Sequence, residues 1–78
     1  MIKEKKELLI KSGEVLYGER WQADLARSLG LSDGRRIRQW LSGDRPIPDG
    51  VWNDIKRLLD ERRKKLDDVS REITRVSN

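Results

Sequence analysis

Apolar residues along this chain recur at intervals of three and four, and no stretch alternates with the period of two that a strand needs. Glycine and proline divide the chain into helix-sized pieces. Lys3 to Tyr17 is the first predicted helix. Leu9, Leu16 and the pairs Leu8/Ser12 and Ser12/Val15 fall on one stripe, and Gly18 is placed to end it. Gly13 inside this stretch costs about 1 kcal/mol relative to Ala. Either a neighbouring helix passes close to it or the helix is weak. The second helix is predicted over Arg20 to Leu29, with Trp21, Leu25, Ala26 and Leu29 on one face and Gly30 as its stop. The third is predicted over Asp33 to Leu41. Asp33 is its N-cap, able to accept the free amides of the first turn, and Ile37, Trp40 and Leu41 are its apolar face. Ser42 and Gly43 end it.

A stiff connector follows, Asp44-Arg45-Pro46-Ile47-Pro48-Asp49-Gly50. The last helix is predicted to start near Pro48 or Asp49, because proline suits a first turn and aspartate suits the positive helix end. It carries a heptad seam, Trp52, Ile55, Leu59, Arg62, Leu66, Val69, Ile73 and Val76, with one charged member. The first half, with Leu58, can pack on a small core. The second half has nothing left in so short a chain to pack on. The expected architecture is therefore all-α, four helices with an extended C-terminal one. The expected division is a domain over residues 1–62 and a helical extension over 63–78 for dimerisation through Leu66, Val69, Ile73 and Val76. A frayed tail, or a short strand pair from Arg71 to Ser77, is the alternative for that last segment.

Composition narrows the chemistry. The 78 residues bound the chain to one domain with a short arm at most. It has no cysteine and no histidine, which excludes disulfide frameworks, thiolate and imidazole catalysis and Cys/His zinc sites. The absence of disulfides in so small a chain favours a cytoplasmic setting. No apolar run exceeds Leu8-Leu9-Ile10, so no membrane span is expected. No phosphate loop, nucleophile motif or metal-ligand cluster is present, so no enzyme, cofactor or metal is expected. There is also no room for a small-molecule pocket. Eighteen Lys and Arg stand against fourteen Asp and Glu, a net charge of +4. The distribution says more. From Arg20 to Arg45 the six bases are all arginine, against three aspartates. Arginine forks onto phosphates and guanine edges.

The two middle helices meet what a helix-turn-helix asks for. Ala26 is the small residue that lets the second helix cross closely, and Gly30 is the turn residue that tolerates positive φ. Leu25, Leu29, Leu31, Ile37 and Leu41 lock the pair. Arg35, Arg36, Arg38 and Gln39 form an outward polar face suited to a major groove. Gln22-Ala-Asp-Leu-Ala-Arg-Ser-Leu-Gly-Leu-Ser32, then Ile37-Arg-Gln-Trp-Leu-Ser-Gly-Asp-Arg-Pro-Ile-Pro48, resembles the lambda-repressor/Cro-like DNA-binding domains over roughly residues 5–62. The Trp-Leu-Ser-Gly-x-Arg-x-x-Pro ending resembles small regulators of phages and other mobile elements, anti-CRISPR-associated repressors among them.

The resemblance implies roles. Gln22 would grip a phosphate, with Trp21, Ser32 and Arg45 in the same set. Gly34, Arg35 and Arg36 would lie in the base-reading turn of the recognition helix, with Arg38 and Gln39 beyond it. One departure is visible. Gly30 to Ile37 is one residue longer than the commonest spacing, and the surplus falls around Ser32-Asp33-Gly34. That leaves open, by about 100° of helix rotation, which of Arg35 and Arg36 enters the groove.

Plainer readings exist for some of these residues. Trp21, Trp40 and Trp52 fit a core better than a base stack. Arg62, Arg63, Lys64 and Lys65 fit a solvated helix surface as well as they fit backbone contacts. The expected function is a sequence-specific regulator of double-stranded DNA, a repressor that binds an inverted repeat as a homodimer and occludes a promoter. Its two recognition helices would meet successive major grooves about 34 Å apart. The alternative is a protein-interaction module, such as an antitoxin whose C-terminal helix binds a partner protein.

Overall fold

The computed structural model describes residues 2–77, and side chains from residue 4 onward. Four helices follow one another: α1 (Ile2–Tyr17), α2 (Trp21–Ser28), α3 (Arg35–Ser42) and α4 (Asp49–Ser77). Among the described residues there is no strand. α1 packs against both α2 and α4, and α2 packs against α3.

The core is Leu9, Leu16, Trp21, Leu25, Ala26, Ile37, Trp40 and Ile55, with Tyr17, Leu29, Leu31, Leu41, Ile47, Val51, Trp52, Leu58 and Leu59 packed around it. On α1 the buried stripe is Leu9, Ser12 and Leu16. Leu8 and Val15, expected on that stripe, are 51% and 65% exposed. Leu8 lies one residue from Leu9, and Val15 one from Leu16, so each is rotated about 100° off the buried line. The Ser12 hydroxyl is satisfied by donating back to the Leu8 carbonyl (2.8 Å). Gly13 is where α2 comes close. A Cβ placed there would overlap the Trp21 ring, with Cγ at 2.8 Å.

α2 and α3 are each shorter than their apolar pattern suggests. Leu29 is the C-cap of α2. The Gly30 amide bonds the Arg27 carbonyl (3.1 Å) and the Leu31 amide bonds the Ala26 carbonyl (2.9 Å). That is a Schellman closure, and it requires the left-handed φ of +78° that Gly30 adopts. Asp33 is not the N-cap of α3. Gly34 holds that place, and the Asp33 carboxylate accepts from the Arg35 amide two residues on (2.8 Å). The surplus residue of the connection is thus taken up in an Asx turn ahead of the helix.

α4 is continuous for 29 residues, about 43 Å at 1.5 Å per residue. Arg62, the charged member of its seam, is half-buried and has a structural task. It donates Nη1–H to the Leu16 carbonyl (2.8 Å) at the end of α1 and lies 5.6 Å over the Tyr17 ring. From residue 63 onward every described residue of α4 is exposed.

Candidate nucleic-acid interface

α3 is eight residues, Arg-Arg-Ile-Arg-Gln-Trp-Leu-Ser, and its orientation is set by two anchors. Ile37 is 0% and Trp40 3% exposed. At 100° per residue, Arg35 lies opposite those anchors, Arg38 and Gln39 stand about 50° to either side of that line, and Arg36 lies on the flank beside Trp40. Gln39 is half-buried, and the three arginines are exposed. The Arg38 guanidinium folds back over Gly34, where an added Cβ would lie 3.4 Å from its Nη1.

Arg45 is brought to the same face by the way α3 ends. Gly43 takes φ +88° and bonds the Trp40 carbonyl (3.3 Å), and the Arg45 amide reaches back to the Gln39 carbonyl (3.3 Å). The result is a concave surface of about 520 Å³ lined by Gly30, Leu31, Ser32, Asp33, Arg35, Arg36, Gln39 and Arg45. Both Arg35 and Arg36 line it. Three arginines face one aspartate there, and that carboxylate already accepts from the Arg35 amide.

The arginines of this surface differ from those elsewhere. Arg27, Arg57 and Arg63 each have an aspartate one turn away, at 3.1, 3.7 and 3.4 Å. Among the described residues no ion pair engages Arg35, Arg36, Arg38 or Arg45. Arg20, Arg62, Arg71 and Arg75 share that property, but none of them lines this surface. The surface therefore carries uncompensated positive charge with donors in fork geometry, an arrangement suited to phosphate oxygens and to the O6/N7 edge of guanine.

Of the other residues singled out in the sequence, Gln22 is half-buried as the second residue of α2 and lies outside the concave surface. Trp21 is 4% exposed, so its ring is a core element. At the N-terminus of α2 no side chain caps the first amides. Leu66, Val69, Ile73 and Val76 lie far along α4, apart from this site, and are 63%, 53%, 63% and 82% exposed.

Two residues escaped the sequence reading. Lys5 and Lys6 of α1 line a smaller groove of about 290 Å³ with Trp40, Gly43, Arg45, Pro46 and Ile47. Lys6 Nζ lies 3.4 Å from the position of a Cβ on Gly43. They reach Arg45 only because α1 packs beside the end of α3, nearly forty positions away, and no local motif signals that. No helix among the described residues is long and apolar enough to cross a membrane. No family model, curated protein or solved structure matches the chain.

Proposed function

We propose that the chain is a sequence-specific regulator of double-stranded DNA with a helix-turn-helix fold of the lambda-repressor/Cro-like kind. In this reading α3 is the recognition helix, and the protein acts as a repressor by covering a promoter. The observation that carries the reading is the concave surface, where Arg35, Arg36, Gln39 and Arg45 converge without carboxylate partners beyond Asp33. Arg35, Arg36 and Gln39, which line the concave surface, read base edges, and Arg38, folded over Gly34, braces the first turn of the helix from the side. Arg45 and Ser32 meet phosphates on one side, and Lys6 adds a cation beside Arg45. The Gln22 side chain and the free first-turn amides of α2, Trp21 included, meet phosphates on the other. Two copies on an inverted repeat supply the affinity that one small domain lacks.

The test is a binding selection from a random duplex pool, followed by gel shifts at about 150 mM salt. The selected duplex should bind far more tightly than its scrambled counterpart. Arg35→Ala and Gln39→Ala should each remove about 1–3 kcal/mol of that discrimination. Equal affinity of the wild type for selected and scrambled duplexes refutes sequence-specific recognition. No shift with any duplex at low salt would turn the assignment to the protein-interaction module.

A further inference from the structure

The seam of α4 is one stripe with two environments. Its first half seats the helix on its own domain. Ile55 is 2% exposed, Trp52 and Leu59 pack against the core, and Arg62 holds the Leu16 carbonyl. Its second half continues the same three-four spacing, drifting only about 20° per heptad on a straight helix. There Leu66, Val69, Ile73 and Val76 are 63%, 53%, 63% and 82% exposed. Single exposed apolar residues are ordinary on a protein surface. Four in register on one stripe of a helix that overhangs its domain form a continuous patch.

We infer that this patch is covered by the same patch of a second copy, with the two α4 helices antiparallel. The first half of the stripe decides the direction. In a parallel pair the two stripes face each other along their whole length. The space facing Trp52 to Arg62 is filled by α1 and the core, so a parallel partner would have to pass through them. In an antiparallel pair the partner helix comes from the free end and stops short of that domain.

Register follows from the same constraint. With Leu66 opposite Val76 of the second copy, and Val69 opposite Ile73 of the second copy, all four apolar residues of each chain are used. The partner's Ser77 then falls level with Lys65, just beyond Arg62. A shift of one heptad inward drives the partner into α1. A shift outward leaves only Ile73 and Val76 covered.

Charge at the ends agrees. The last carbonyls of a helix carry partial negative charge. In this register those of one copy come level with Lys65 and close to Arg63 of the other, the two bases that flank the seam there, of which only Arg63 has an internal ion-pair partner among the described residues. One feature opposes association: Glu72 meets Glu72 of the second copy beside the two-fold axis. Four apolar residues a side is a small seam beside the roughly 20–30 residues of a standard interface, so the dimer is a weak, reversible one. The domain cores, marked by Ile55, then lie about 48 Å apart along the helix axis at 1.5 Å per residue. That is wider than the 34 Å of successive major grooves. The pairing is read from α4 alone and stands whether or not α3 binds DNA.

Because the chain has no cysteine, single-cysteine variants report the arrangement directly. Ser70→Cys lies beside the two-fold axis, nearly level with its copy and on the same side, so full-length chain oxidised at about 100 µM should form a disulfide-linked dimer. Val76→Cys should not. Its two copies lie ten residues apart along the axis, about 15 Å, and a disulfide needs Cβ atoms about 4 Å apart. A parallel pair gives the opposite pattern. In sedimentation equilibrium, Glu72→Gln should tighten association by about two- to fivefold, as expected for relief of one exposed like-charge contact. Cross-linking through Val76→Cys, equal cross-linking of both variants, or a monomeric mass for the wild type up to about 500 µM overturns the inference.

Discussion

Gly13→Ala is the substitution for which local and tertiary physics give opposite signs. In an isolated helix, replacing an interior glycine with alanine stabilises by about 1 kcal/mol. Here the new methyl would overlap the Trp21 ring, whose Cγ lies 2.8 Å from the Cβ position. That ring is 4% exposed and begins α2, so it cannot swing into solvent. Relief requires moving α2 away from α1, which opens the packing around Leu16 and Leu25. Overpacking of this kind costs about 1–3 kcal/mol, and a rigid ring held by a helix terminus places the cost at the upper end. Subtracting the propensity gain leaves a net loss of about 2 kcal/mol. For a domain of this size that lowers the melting temperature by about 8–16 °C. Gly50→Ala is the control. Nothing lies within 4 Å of a Cβ there, so it should gain up to about 1 kcal/mol. The assay is urea unfolding followed by far-UV circular dichroism, comparing midpoints at constant slope. A midpoint for Gly13→Ala at or above the wild type would refute the close packing of α1 on α2. In a Trp21→Leu background the penalty of Gly13→Ala should fall by at least about 1 kcal/mol, which assigns it to that one contact.

The remaining predictions concern the charged residues and the tail. Arg45→Ala and Lys6→Ala should each weaken binding to all duplexes alike and reduce the salt slope by about one charge. A change in base preference with an unchanged slope would make the residue a base reader. Arg62→Ala should destabilise the fold by about 1–2 kcal/mol by leaving the Leu16 carbonyl without its donor and the Tyr17 face uncovered, and an unchanged urea midpoint would refute that task. Truncation after Lys65 should leave the unfolding midpoint of the domain nearly unchanged, because every core residue precedes it. A collapse of the midpoint would show that the tail supports the fold.

Much of the architecture was legible from residue order because it rests on local physics. The three-four spacing of Leu9, Ser12 and Leu16, of Trp21 and Leu25, and of Ile37 and Trp40 marks helical faces whatever they pack against. Gly18, Gly30 and Gly43, each read as a helix stop, each adopt positive φ, because a residue without Cβ is the least costly way to end a helix in the left-handed region. The unbroken run from Gly50 foretold the long α4 for a similar reason: it contains nothing that breaks a helix.

What the chain order left open was settled by contacts between distant segments. Gly13 was ambiguous in sequence, because a helix glycine reads as weakness until Trp21 is seen lying against it. Arg62 read as a flaw in an apolar seam, and only the end of α1 in space makes it a cap for the Leu16 carbonyl. Leu8 and Val15 could join the buried stripe by spacing alone, and a rotation of one residue, fixed by where α2 and α4 press on α1, put them in solvent. Lys5 and Lys6 carry no motif, and they stand beside Arg45 only because α1 runs past the end of α3. Propensity and periodicity act over one or two helical turns, so they set which residues are helical. Which face meets which neighbour is a property of the packed whole, because a core this small admits only the arrangement that fills it without voids or overlap.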